Sequence, residues 1–232
     1  MRDAVPLAPG ACVIDVGLGD TPVTTVEWSQ SLGPSVEVLG VDSEPERVAT
    51  AQVHATTSLR FSTVEAVERG RASLIRAMNV LRGGTVENAR ARCATWGTWL
   101  AESGLLVEGS TDTEGHVTAA QLLRRRGGVL LREGLLFHTD FTRGFSPWLF
   151  RDWLPREFRR GVTPVHAFLA AWSAVCDALP AGLTPVQRFE ASVPQLHDVE
   201  RVGSSVVWRS APHTWSSWAP DNAARGRHRA DG

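Results

Sequence analysis

The chain has 232 residues, of which 43% are hydrophobic, and a formal net charge of −1. That suits one domain with extensions around a packed core, and near-neutrality removes any global attraction to nucleic acid or acidic lipid. Lysine and tyrosine are both absent, which excludes a Schiff-base lysine, a G-K-[ST] phosphate loop, a tyrosine acid/base and the Tyr-Lys pair of many short-chain oxidoreductases.

Residues 11–16, A-C-V-I-D-V, read as a buried first strand. Gly17 and Gly19 follow, then Asp20-Thr21-Pro22. Thr21 is placed as a helix N-cap and Pro22 at the first helical position, where its missing N–H costs nothing. The helix is predicted over 22–32, with Val23, Val26 and Leu32 towards the sheet and Gly33 as terminator. A second strand, 36–41, ends in Asp42, and Pro45 opens a helix to about His54. Strands are predicted at 59–63 and 72–77, the latter running into Met78-Asn79-Val80-Leu81. A helix over 85–102 carries Val86, Ala89, Cys93, Trp96 and Leu100 at helical spacing, and Gly104 ends it. A fifth strand is predicted at 105–108. Residues 115–126 are predicted as a helix capped by Asp112 or Thr113, with Arg124-Arg125-Arg126 as its solvated end. Residues 129–137 form a sixth strand, with a hairpin bent at Arg132-Glu133-Gly134 as the alternative.

Strands alternating with helices at this spacing predict an α/β fold, a three-layer sandwich around a mainly parallel sheet. The rhythm changes after Thr142. Residues 142–200 read as a helical, aromatic-rich segment, with helices opening at Thr163-Pro164 and Thr184-Pro185, and 204–209 as a final strand. Trp148, Phe150, Trp153 and Phe158 fit packing against the sheet edge better than a substrate lid. Residues 1–210 are expected to form one domain and the polar tail 211–232 to be disordered. Cys12, Cys93 and Cys176 are odd in number and far apart, so buried thiols are expected rather than disulfides. The histidines are scattered and no metal-ligand spacing occurs, so no metal is expected. Met1-Arg2-Asp3 lacks the apolar core of a signal peptide and no apolar run is long enough to span a bilayer, so a soluble cytoplasmic protein is expected.

A buried strand, a glycine turn and a new helix bring backbone N–H groups and a positive dipole end to a ligand, as in nucleotide-binding α/β domains. Asp15 stands where dinucleotide enzymes usually carry an apolar residue, and Pro22 occupies the place of the third glycine of G-x-G-x-x-G. An acidic group at Asp15 suits a cofactor with a cationic amino group and a sulfonium. Asp42, at the end of the second strand, suits ribose hydroxyls in either cofactor.

Residues 13–19, V-I-D-V-G-L-G, together with 39–43, L-G-V-D-S, resemble the first two motifs of the class I S-adenosylmethionine-dependent methyltransferases. Residues 74–81, L-I-R-A-M-N-V-L, and 104–109, G-L-L-V-E-G, resemble that family's fourth and fifth strands. The resemblance covers about residues 10–140. It implies a Rossmann-like, seven-stranded sheet with an antiparallel last strand. It implies S-adenosylmethionine as cofactor and methyl transfer as activity. Asp15, Gly17 and Gly19 would surround the methionine part; Asp42 would hold the ribose with Ser43 beside it; Glu65 is a candidate for the adenine amino group; Asn79 would face the methyl donor. Thr21 stands where the family usually has its third glycine, so the chain meets the ligand differently there. An NAD(P)-dependent oxidoreductase and a non-catalytic domain that has kept the methyltransferase fold are the alternatives. A small-molecule acceptor is favoured, with RNA as the alternative if Arg124–Arg126 and Arg151, Arg156, Arg159 and Arg160 gather on one face. His116, His138 and Asp140 are the groups near strand ends able to accept a proton, and none is assigned as a catalytic base.

Overall fold

The computed structural model describes residues 7–160 and 163–209. The tail expected at 211–232 and the start Met1-Arg2-Asp3 lie outside the described residues. In chain order the described elements begin with β1 (Cys12–Val16), α1 (Val23–Leu32), β2 (Glu37–Asp42), α2 (Pro45–Ala51), β3 (Leu59–Thr63), β4 (Ala72–Met78) and α3 (Val86–Trp99). They continue with β5 (Leu100–Thr111), β6 (Val117–Arg126), β7 (Val129–Thr139), α4 (Pro164–Asp177), α5 (Pro185–Ser192), β8 (Val199–Val202) and β9 (Ser205–Trp208).

The strands form one nine-stranded sheet in the order β3-β2-β1-β4-β5-β6-β7-β9-β8. From β3 to β5 all neighbours are parallel. From β5 onwards every pairing is antiparallel. The α/β fold with a parallel core is therefore present, but with nine strands rather than seven, and mixed. The chain leaves β1 towards β3 and then returns to place β4 on the other side of β1. That reversal opens a crevice at the carboxyl ends of β1 and β4.

Helices cover both faces. On one face α1 and α2 pack on Val13, Val38, Leu59 and Phe61. On the other, α3 lays Cys93, Trp96 and Trp99 over Ile14, Ile75 and Leu106. Beyond β5 a second core joins Phe137 and Ala119 to Phe150, Phe158, Phe168, Trp172 and Phe189. Phe150 and Phe158 are thus packing residues, as expected, while Trp148 is 40% exposed.

The first helix departs from expectation at its start. It begins at Val23, and Pro22 rather than Thr21 is the cap, with no side-chain bond. Val23 is exposed, whereas Thr25 and Ser29 are buried. The cause is a bond from the Thr25 hydroxyl to Asp15 Oδ2 at 2.7 Å, which turns this polar face of α1 inwards. Gly33 ends the helix as predicted, donating its N–H to the Ser29 carbonyl. Helix α3 opens at Thr85, whose hydroxyl accepts from the Asn88 N–H, but it stops at Trp99, and β5 starts at once. Gly104 is not a helix terminator. The β4–β5 register shifts beside it, and a Cβ there would lie 2.7 Å from the Ala72 carbonyl oxygen.

The helix expected over 115–126 is strand β6. Its sequence is rich in helix formers, but it is hydrogen-bonded to β5 on one side and β7 on the other, and pairing on both sides outweighs propensity. Two local turns set this up. Asp112 accepts the Val117 N–H on its side chain and the Gly115 N–H on its carbonyl. Gly127 and Gly128 join β6 to β7 with φ of 58° and 81°, the positive values that a tight two-residue hairpin turn demands. The Gly-Gly pair is the sequence signal for this hairpin. Arg132-Glu133-Gly134 does not bend the chain into a hairpin; β7 is continuous, with a one-residue bulge at Glu133 between the Leu122–Gly134 and Leu123–Arg132 pairs.

Arg124, Arg125 and Arg126 therefore end a strand, not a helix. Arg125 donates to the carbonyls of Gly97, Thr98 and Leu100, satisfying carbonyls that α3 leaves open at its carboxyl end. Arg124 and Arg126 both pair with Glu133.

Candidate cofactor cleft

Strand β1 is buried along its whole length, and it ends where the chain must turn away from the sheet. Gly17 makes that turn with φ of 91° and Gly19 with 66°, conformations that side chains oppose. The Gly17 N–H donates to the Val41 carbonyl at 2.8 Å, holding the turn to the end of β2. Asp42, at the tip of β2 and 4% exposed, completes the fastening. Its Oδ2 accepts the Leu18 N–H at 2.9 Å and its Oδ1 the Glu44 N–H at 3.0 Å. One carboxylate thus ties the glycine turn to the start of α2. Arg47 stands beside it, 3.8 Å from Oδ1.

The turn borders a cleft of about 710 Å³, within the ~300–1,000 Å³ usual for small-molecule sites. Gly17, Gly19, Asp42 and Ser43 line one side. Met78, Asn79, Val80 and Leu81 from the end of β4 line the floor, with Val64, Arg92 and Trp96 around them. Asn79 has φ of 64°. Its N–H donates to the Gly109 carbonyl and its Oδ1 accepts the Thr111 N–H, which locks the ends of β4 and β5 together. No other atom comes within 4 Å of where a Cβ on Gly19 would stand, whereas Val80 Cγ2 comes within 2.7 Å at Gly17.

Of the residues singled out in the sequence, Gly17, Gly19, Asp42, Ser43 and Asn79 meet at this cleft. Asp15, Thr21 and Glu65 are not among its lining residues. Strand alternation sends Asp15 to the α1 face, where it accepts from Thr25 and pairs with Arg76 at 3.4 Å. Burial raises the Asp15 pKa, opposed by Arg76 and by the Thr25 bond. Thr21 and Glu65 are exposed. Glu65 sits in a short 3-10 turn, and its neighbour Val64 reaches the cleft instead. Val64 and Trp96 carried no polar signal; in the sequence Trp96 read only as part of an apolar helix face.

The candidate proton acceptors lie apart from the cleft lining. His116 and Asp140 pair at 2.6 Å on the turn side of β6. Asp140 is held down at about 2, chiefly by the Thr142 backbone N–H. Burial lowers the His138 pKa, and its Nδ1 lies 3.0 Å from the Ser205 hydroxyl.

A chain of polar groups crosses the sheet from β5 to β7. Glu108 on β5 accepts from Gln121 on β6 at 2.7 Å. Gln121 in turn accepts from Arg132 on β7, which pairs with Glu157. Burial pushes the Glu108 pKa from 4.5 up to about 7, with Glu157 adding to the rise and Gln121, Arg159 and Arg132 opposing it. Because the folded value exceeds the unfolded one, the native state holds the extra proton in this window. Stability therefore falls as pH rises from 4.5 to about 7, and the full loss, about 3 kcal/mol, persists above it. Glu108→Gln is expected to remove this loss, matching the wild type near pH ~4 and exceeding it near pH ~8. Urea unfolding at several pH values checks it; the same pH dependence for the two proteins would mean that folding does not raise the Glu108 pKa.

No family model matches the chain, and no curated protein does. Among solved structures, it is similar to the CurJ carbon methyltransferase, with 21% identity and a TM-score of 0.38, over 49% of this chain and 32% of that one. It is also similar to an S-adenosylmethionine-dependent methyltransferase from Mesorhizobium loti, with 21% identity and a TM-score of 0.37, over 47% of this chain and 51% of that one. A third is the Haemonchus contortus phosphoethanolamine N-methyltransferase 2, with 16% identity and a TM-score of 0.36, over 45% of this chain and 25% of that one. The chain thus spans from a quarter to half of their lengths. All three are methyltransferases.

Proposed function

We propose that this chain binds S-adenosylmethionine in the cleft above β1, β2 and β4 and transfers its methyl group to a small-molecule acceptor. The observation that carries the reading is Asp42, a buried carboxylate that fastens the glycine turn to α2 at the wall of an open cleft. The residues present fit the cofactor. Each Asp42 oxygen accepts one backbone N–H, and a carboxylate has about four acceptor sites, so capacity remains for ribose hydroxyls. Gly19 leaves open space beside its backbone, where the methionine part can approach closely. Val64, Leu81 and Trp96 give apolar walls for a purine.

The cofactor supplies a methyl group on a sulfonium, an electrophile strong enough that transfer rests on alignment and exclusion of water. The chain's own residues supply that alignment. Asp42 orients the ribose. Asn79 holds the β4 and β5 ends at a fixed spacing at the cleft. Asp15 acts from behind the turn, bracing β1 to α1 through Thr25 and to β4 through Arg76.

Two observations favour this reading over its alternatives. Val80 closes over Gly17 but nothing fills the space at Gly19, which argues for a working cleft rather than a degenerate one. The arginines that might have formed a strip for RNA do not all gather at one place: Arg124 and Arg126 pair with Glu133 and Arg125 bonds to Leu100 at the start of β5, while Arg159 bonds to Ser110 near its other end. Among the described residues no helix is long and apolar enough to cross a membrane.

Isothermal titration with S-adenosylhomocysteine is expected to give saturable binding. Binding of NAD(H) without S-adenosylhomocysteine would favour the oxidoreductase, and binding of neither would favour a non-catalytic domain.

A further inference from the structure

The two faces of the sheet are covered unequally. Among the described residues α3, α4 and α5 between them pack on one face as far as β9. On the other face, beyond α1, runs a groove of about 500 Å³. Its floor is Leu74 on β4, Val107 on β5, Leu122 on β6, Leu136 on β7 and Val207 on β9. Among the described residues its helical lining comes from α1 alone, through Trp28, Ser31 and Leu32. Aliphatic side chains on five neighbouring strands make a core face, and a core face requires an element to bury it.

The rim does not select a charged occupant. Each of its arginines is paired with a carboxylate: Arg76 with Asp15, Arg124 with Glu133 and Arg209 with Glu200. What the rim offers is acceptors. Arg124 and Arg126 both donate to Glu133 Oε1, and Arg209 donates to Glu200 Oε2. Glu133 Oε2 and Glu200 Oε1 accept no hydrogen bond from a described residue. An apolar body with a single N–H suits such a groove, and that is the chemistry of an indole.

The chain carries indoles within reach. Arg209 lines the groove just past β9, and its N–H donates to the Asp198 carbonyl at 2.7 Å, which fixes the point from which the following chain leaves. The sequence then continues S-A-P-H-T-W-S-S-W, and Trp215 and Trp218 are the only Phe, Trp or Tyr residues in 210–232. They stand six and nine positions beyond Arg209, hence at most ~20 and ~30 Å away along an extended chain. The floor from β4 to β9 is four strand spacings, ~20 Å across. We propose that residues 210–218 dock in this groove of their own chain, with Trp215 and Trp218 seated on the aliphatic floor. An indole buries ~150–250 Å², so two of them supply the apolar cover that this face lacks. Residues 1–6, which lead into Leu7 on the groove wall, fit less well: they hold Arg2 and Asp3 and no aromatic side chain. The proposal is independent of the methyltransferase reading.

The test is fluorine NMR on the full chain labelled with 5-fluorotryptophan, with Trp215→Phe and Trp218→Phe assigning the two resonances. Both are expected away from the position of free fluorotryptophan and insensitive to exchange of H₂O for D₂O. Leu136→Arg, which places a charge on the groove floor, is expected to return both to the free position while the other tryptophan resonances keep theirs. Leu122→Arg serves the same purpose if Leu136→Arg fails to fold. The double variant Trp215→Ala/Trp218→Ala is expected to melt roughly 5 °C or more below wild type and to bind an apolar dye that the wild type excludes. Wild-type resonances at the free position with the full solvent isotope shift overturn the proposal. So do protected resonances that neither floor variant moves. A dimer by light scattering whose dilution exposes both indoles overturns it in favour of a second copy of the chain.

Discussion

Asp42→Ala is expected to weaken S-adenosylhomocysteine binding about 100-fold, or by roughly 3 kcal/mol. The side chain does two things at once. It presents acceptors to the cleft, and it holds the N–H groups of Leu18 and Glu44 at 2.9 and 3.0 Å. Truncation removes the charged acceptor and leaves two backbone donors without their partner; the buried Leu18 N–H, which water cannot reach, costs ~1–3 kcal/mol, and the half-buried Glu44 N–H less. The glycine turn then loses its fastening to α2, so the backbone of Gly17 and Gly19 is no longer set in advance for the ligand. Asp42→Asn separates the two roles. Its amide oxygen keeps one backbone bond while its NH₂ faces the other N–H, so it should fall between wild type and Asp42→Ala. Calorimetry with thermal melts on the same samples checks this. Affinity within about twofold of wild type for Asp42→Ala would remove Asp42 from the site.

Gly109→Ala is expected to cost stability most. A Cβ at Gly109 would stand 2.2 Å from the Ala119 carbonyl oxygen and 2.5 Å from the Ala120 Cα. Both are backbone atoms of β6, hydrogen-bonded into the sheet and unable to swing aside as a side-chain tip would. Such overpacking costs ~3 kcal/mol or more, and a melting midpoint lower by roughly 10 °C follows for a chain of this size. The Gly109 carbonyl also accepts the Asn79 N–H, so a shifted β5 displaces the cleft floor, and ligand affinity should fall with stability. Gly19→Ala is the contrast. Open space surrounds that position, and the cost is confined to the strain of φ at 66°, about 1–2 kcal/mol. Its melting point should drop little while binding suffers. A Gly109→Ala protein as stable as wild type would mean that β5 and β6 are not in this register.

Much of the parallel half was legible because its signals are local. Buried parallel strands are apolar runs, and β1, β2 and β4 were each bounded by Gly, Pro or Asp within a few residues. Asp42 could be placed at the cleft because a carboxylate at a strand end precedes a Pro-initiated helix. The antiparallel half was harder. In β6, Ala, Gln, Leu and Arg favour a helix, and the period-two burial of Val117, Ala119, Gln121 and Leu123 has meaning only once β5 and β7 lie on either side.

What the sequence by itself determined is the alternation of strands and helices, the glycine turn at 17–19, the placement of Asp42, and the absence of lysine and tyrosine chemistry. These follow from propensity, periodicity and composition, which act over a few residues. Tertiary structure decided the rest. Asp15 is held on the α1 face as a buried carboxylate because Thr25 and the distant Arg76 receive it there. Arg125 serves α3, whose carbonyls lie 25 to 28 residues earlier in the chain. Glu108 is raised to about 7 because the sheet buries it. Each of these depends on the partner a side chain meets after folding, and a partner tens of residues away leaves no mark on the local pattern.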